Sequence, residues 1–223
     1  MNILSNAMTS KWRGIKVTGE KKNELKPKTI INRLGQKSIS LPRIDDKKRW
    51  AGYPGLAGTA RQIAKIINEI PQFITYVEPF AGTAKVYQML DGLNHQWDIL
   101  NDKSEFIYNW LKREFSNSYC DVTNWDYTNC MHHYDDDDTI FAIDPPWNKS
   151  YYLQNFSCFD RSSIKEYDEE IVEICKELKG KFIITSRKEN KIFLNSGFNN
   201  TLITSEYVVS GKVLITTNME VKK

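Results

Sequence analysis

The chain has no apolar run of membrane-spanning length, and no short apolar segment with a cleavage site opens it. A spanning helix needs about 20 consecutive apolar residues, so no membrane partner is expected. Cysteine is sparse: Cys120, Cys130, Cys158 and Cys175 stand apart, with no CxxC pair. That disfavours a zinc site and fits reduced thiols in a cytoplasmic setting. There are three histidines, and His132-His133 stand beside the acidic run Asp135–Asp138. Adjacent side chains on a strand point to opposite faces, so a solvated turn and no metal are expected there. Neither GxGxxG nor GxxxxGK[ST] occurs, which disfavours a dinucleotide or a nucleoside triphosphate. No internal repeat and no surplus apolar face are evident, so a monomer is the expectation.

What is present is ordinary in bulk and uneven in distribution. At 223 residues, 40% hydrophobic and 26% charged, the chain fits one domain with a full core. Residues 1–50 carry 13 Lys/Arg against 4 Asp/Glu, while the remainder carries 18 against 24. Residues 1–46 therefore read as a basic arm, partly flexible, suited to a phosphate backbone. Residues 47–223 read as the catalytic domain.

From residue 47 the pattern alternates between helix and strand. Ala60, Ile63, Ala64, Ile67 and Ile70 fall at helical spacing. Phe73 to Val77 reads as a buried strand closing in Glu78-Pro79-Phe80-Ala81-Gly82-Thr83, with a helix expected from Ala84. Trp97 to Leu100 reads as a second strand, followed by a helix through Phe106, Trp110 and Leu111. Residues 119–138 are less regular. Thr139 to Ile143 is a third strand, Ile171 to Leu178 a helix, and Lys181 to Thr185 a further strand. Leu202–Val209 and Lys212–Thr217 flank Ser210-Gly211, a two-residue hairpin signal. Alternation predicts an α/β fold with a mostly parallel sheet and one antiparallel strand forced by the terminal hairpin.

Asp144-Pro145-Pro146-Trp147 ends the apolar run of the third strand. A carboxylate, two rigid prolines and an indole at a strand end suit a flat base with an exocyclic amino group. That nitrogen's lone pair is delocalised into the ring. Asp144 and the Pro145 carbonyl can accept its hydrogens, making the nitrogen more tetrahedral, while Trp147 stacks on the ring. Ligands of open parallel sheets sit at the carboxyl ends of strands. Gly82 permits close backbone approach there, a following helix would present its amino end to a carboxylate, and Asp102 is placed to hold ribose hydroxyls. A nucleoside carrying an amino acid, such as S-adenosylmethionine, fits these pieces. Tyr151 and Tyr152 are candidates to contact the nucleic acid, and Phe156 and Phe159 to pack beneath them. Ser186-Arg187 can reach a phosphate or act as an exposed cap.

These segments, in this order, resemble the Dam-like family of adenine-N6-specific DNA methyltransferases from Lys47 nearly to the chain end. Lys48-Arg49-Trp50-Ala51-Gly52 resembles its first cofactor segment, and Val77 to Gly82 its signature turn. Asn101-Asp102 resembles its ribose-binding strand end, Asn124-Trp125-Asp126-Tyr127 the segment contacting the cofactor adenine, and Lys212 to Asn218 its last strand. The resemblance implies a Rossmann-like S-adenosylmethionine-dependent methyltransferase fold with a seven-stranded sheet. It implies cofactor contacts from Trp50, Glu78, Phe80, Gly82, Asp102 and Asp126, and catalysis by Asp144, Pro145, Pro146 and Trp147 on adenine flipped from DNA. Two departures stand out. Tyr53-Pro54 replace a lysine common in the first segment, and only 41 residues separate Asp102 from Asp144, where the family usually inserts a recognition domain. Cytosine-N4 or RNA adenine methylation, on single-stranded substrate or otherwise, and a non-catalytic nucleic-acid-binding module are the alternatives.

Overall fold

The computed structural model describes residues 28–31, 37–40, 57–90, 95–116, 119–147, 163–204 and 211–220. Trp50, Tyr151, Tyr152, Phe156 and Phe159 lie outside them. Within the basic N-terminal segment, β1 (Lys28–Ile31) and β2 (Lys37–Ser40) pair antiparallel as a sheet of their own.

The second sheet has seven strands: β3 (Thr75–Glu78), β4 (Trp97–Asn101), β5 (Cys120–Thr123), β6 (Thr139–Ile143), β7 (Lys181–Arg187), β8 (Asn199–Thr204) and β9 (Lys212–Thr217). Their spatial order is β5-β4-β3-β6-β7-β9-β8. Strands β3 to β7 run parallel, while β9 is antiparallel to both its neighbours. The expected mostly parallel sheet with an antiparallel terminal pair is therefore what forms.

Five helices are described: α1 (Ala57–Asn68), α2 (Glu105–Phe115), α3 (Tyr127–His133), α4 (Ile164–Glu177) and α5 (Lys191–Leu194). All five residues of β6 are buried because both faces of that strand are covered. Ile140 and Ala142 pack under Ile63 and Ile67 of α1. Phe141 and Ile143 pack under Met131 of α3 and Ile171 and Cys175 of α4. The apolar stripes read from sequence are these contacts, with one exception. Phe106 faces out at 51% exposure, and Ile107, Trp110 and Leu111 form the buried side of α2.

Three local expectations are corrected. The irregular stretch 119–138 contains β5 and α3; both are too short for periodicity to show, and they hold because β4 and α4 cover them. Strand β8 begins at Asn199, three residues before the apolar run, because Asn199 to Thr201 pair with Thr217 to Ile215. The helix expected from Ala84 does not form over residues 82–90. Instead, turns lead into a single 3-10 turn at Tyr87–Met89. Gly82 (φ 51°) and Ala84 (φ 49°) are both left-handed, which interrupts helical propagation.

Candidate active site

Parallel pairing brings the carboxyl ends of β3 to β7 to one edge of the sheet. The strand order reverses between β3 and β6, whose chains continue to opposite sides, and a crevice opens there. Val77 pairs with Phe141, so Glu78 stands level with Ala142 and Asp144 two residues beyond. Glu78, Phe80, Ala81, Thr83, Lys85 and Asp144 line one cleft, closed on its far side by Thr59, Ala60 and Ile63 of α1. The structure thus brings the glycine turn and the DPPW segment together.

Glu78 is buried, and its Oε1 accepts from the Tyr76 hydroxyl and the Tyr87 N–H, each at 2.7 Å. Burial pushes its carboxyl up to about 8, against the pull of those two donors, and the nearby Asp144 and Asp98 charges add to the rise. At neutral pH Glu78 is therefore mainly protonated. Asp144 is partly exposed, and its Oδ1 accepts from the Thr185 hydroxyl at 2.5 Å. Burial raises it to about 6, with the Thr185 bond opposing. At neutral pH it is mainly a carboxylate, hence an acceptor. Pro145 and Pro146 are buried and fix the backbone after it. The Trp147 ring is half-buried against the α1-side core, its carbonyl accepts from Arg187 Nη2 at 2.6 Å, and its Nε1 has no partner among the described residues.

Asp102 is buried and ties the glycine turn to the end of β4. Its Oδ2 accepts from the Gly82 N–H and its Oδ1 from the Ser104 N–H, both at 2.9 Å. Burial outweighs these donors and raises it to about 6. Asp126 caps α3: its Oδ1 accepts from the Thr128 N–H at 3.0 Å, while Oδ2 pairs with Lys103 at 2.8 Å. Burial would raise its carboxyl, but the Lys103 and Thr128 contacts prevail and lower it. Phe80 packs its ring on Tyr127, centroids 4.8 Å apart, and on Tyr167.

Four residues have parts that the sequence reading did not assign to them. Asn101, fully buried, donates to the Pro79 and Trp125 carbonyls and accepts from the Thr123 hydroxyl and the Trp125 N–H. It staples the ends of β3, β4 and β5 together. Among the described residues Lys85 is the only basic side chain lining the cleft, and burial lowers its ammonium. Thr83 lines the same cleft at 3% exposure, and its hydroxyl has no partner among the described residues. No helix end stands at the glycine turn; Thr83 and Lys85 line the cleft there instead. Thr185 is the fourth, and nothing in its own neighbourhood in sequence marks it. Among the described residues no cluster of three or more His, Cys, Asp or Glu is placed to hold a metal ion, and no helix is long and apolar enough to cross a membrane.

No family model and no curated protein matches the sequence. Solved structures do match in shape. SMU.472, a putative methyltransferase complexed with SAH, is 12% identical with a TM-score of 0.51, over 78% of this chain and 56% of that one. The chain therefore spans just over half the length of that protein. A putative SAM-dependent methyltransferase from Streptococcus mutans is 18% identical, with a TM-score of 0.49 over 70% of this chain and 47% of that one. Putative methyltransferase yhhF from Escherichia coli is 12% identical, with a TM-score of 0.49 over 88% and 100%. The strand order and the likeness to SMU.472 together give the chain a Rossmann-like methyltransferase fold: seven strands, mostly parallel, with antiparallel C-terminal strands.

Proposed function

We propose that the protein transfers a methyl group from S-adenosylmethionine to the exocyclic N6 of adenine in DNA. One observation carries this reading: the acceptor Asp144, on a backbone fixed by two buried prolines, opens into the same crevice as the glycine turn, at the point where strand order reverses. The residues present fit such a donor. The buried Thr83 hydroxyl and Lys85 face its carboxylate, its ammonium displaces the proton that Glu78 holds in the free protein and takes that proton's place on the second oxygen, and Gly82 lets the chain approach. In this reading Asp102 borders the ribose, since a carboxylate has about four acceptor positions and the Gly82 and Ser104 N–H groups take two of them, and Asp126, the cap of α3, borders the adenine.

When bound, the donor supplies an electrophilic methyl on a sulfonium sulfur. The chain's own contribution is positional. Asp144 and the Pro145 carbonyl accept the two amino hydrogens and direct the nitrogen lone pair at the methyl, and Trp147 supports the base plane. In such a transfer the N–C bond would form as the C–S bond breaks, and the surplus proton would leave to water. Tyr151, Tyr152 and Trp50 complete the nucleic-acid and cofactor contacts in this reading.

One observation favours a second substrate form. The interval between Asp102 and Asp144 builds α2, β5 and α3, all parts of the sheet architecture. Those elements leave no room there for an inserted sequence reader, which suits a base already unpaired, in single-stranded DNA or RNA. Labelled-methyl transfer to duplex DNA, single-stranded DNA and RNA, followed by digestion to nucleosides, tests both. N6-methyladenosine from RNA alone would move the substrate; N4-methylcytosine would move the base; no label at all would leave a binding module. Asp144→Ala should lower turnover by about 100-fold or more, as expected when a positioned transition-state acceptor is lost, with donor affinity within about twofold.

A further inference from the structure

The carboxyl end of β7 holds the DPPW segment at two points. Ile143 pairs with Ile184, which sets Thr185 level with Asp144 on the α1 side of the sheet. Thr185 is fully buried, and its single hydroxyl proton is committed to Asp144 Oδ1. Two residues on, and so on the same face, Arg187 donates from Nη2 to the Trp147 carbonyl at 2.6 Å. The Arg187 charge also opposes the rise that burial gives the carboxyl of Asp168 on α4, whose Oδ2 accepts from Asn190 Nδ2 at 2.8 Å. One rigid strand thus grips the carboxylate that opens the segment and the peptide that closes it.

We propose that Thr185 and Arg187 are positioning residues for the transfer reaction: Thr185 holds Oδ1 of Asp144 so that Oδ2 alone is presented to the acceptor amino group, and Arg187 fixes the peptide after Pro146 so that the Pro145 carbonyl and the Trp147 ring keep their orientation. The inference rests on the methyl-transfer reading above. A carboxylate on a strand end rotates about its Cα–Cβ and Cβ–Cγ bonds, and each freely sampled orientation dilutes the productive one. A hydrogen bond to one oxygen selects a single orientation. It also helps keep the carboxyl ionised against the burial that opposes its charge.

The test has two independent readings on Thr185→Val, which keeps the shape, and Thr185→Ser, which keeps the hydroxyl. The first is the Asp144 carboxyl titration, followed by carbon NMR on protein labelled at aspartate carboxyls and assigned with Asp144→Asn. Thr185→Val should move that titration to higher pH, and Thr185→Ser should leave it near wild type. An unshifted titration in Thr185→Val overturns the clamp whether or not the protein transfers methyl groups. The second is turnover: Thr185→Val should lose about 10- to 100-fold in kcat, the range for a hydrogen bond to a charged group, with donor affinity within about twofold. Thr185→Ser should recover most of the loss. Equal damage in both variants, or weakened donor binding alongside kcat, overturns the positioning role. A shifted titration in a protein that methylates no nucleic acid keeps the clamp and removes the methyl-transfer reading. Arg187→Met supplies a variant outside the core; unchanged kcat there removes Arg187 from the proposal.

Discussion

Replacing Glu78 by glutamine should flatten the dependence of folding stability on pH between pH 6 and 9. The folded carboxyl titrates near 8, against an ordinary value of 4.5, because it is buried. At pH 6 the native protein therefore holds a proton that the unfolded chain has already released. A folded value raised in this way contributes stability that is fully present below the unfolded pKa and disappears as pH rises through 8. For a single group with these two values, the loss between pH 6 and 9 is about 2 to 3 kcal/mol. Glutamine keeps the oxygen that accepts from the Tyr76 hydroxyl and the Tyr87 N–H, so the packing and both bonds survive. Asp102 and Asp168, also raised by burial, are common to both proteins and cancel in the difference. The assay is urea unfolding of both proteins at pH 6, 7.5 and 9, or melting curves, where the difference should be about 5 to 10 °C for a chain of this size. Parallel pH dependence in the two proteins would refute the claim that Glu78 is neutral in the folded state.

Lys85→Met should weaken binding of S-adenosylhomocysteine about 5- to 30-fold, the range for losing a partly exposed charge-assisted contact, yet leave methylthioadenosine, which lacks the amino-acid end, unchanged. Calorimetric titration with both ligands checks this, and equal losses for the two would remove Lys85 from the carboxylate subsite. Asn101→Ala should destabilise the fold by about 2 to 4 kcal/mol, because it strands the buried groups that Asn101 now satisfies at three strand ends. Chemical denaturation measures it, and a loss under about 1 kcal/mol would mean that those ends hold without the staple.

Much of this fold was legible in the sequence because its signals are local. The stripe from Ala60 to Ile70 and the run from Thr139 to Ile143 each contain their own period, and period decides helix or strand. Asp144, Glu78, Gly82 and Asp102 were legible as candidates because each ends a strand in a turn of unusual composition. The short β5 and α3 were not, since four and seven residues carry too little pattern and are stabilised by what covers them. The helix expected at Ala84 failed for a reason the sequence hides: two left-handed residues and a backbone bond to Glu78 commit the segment to turns.

Chain order and residue type by themselves determined that strands end in carboxylates and that one end carries a stiff Pro-Pro pair. Only the tertiary structure decided which of those ends meet. Thr185 lies 41 positions after Asp144, yet parallel register sets the two level, and Lys85 and Thr83 reach the cleft because the glycine turn folds back toward α1. Distances along the chain do not report such encounters, because strand order and register are fixed by packing both faces of the sheet at once.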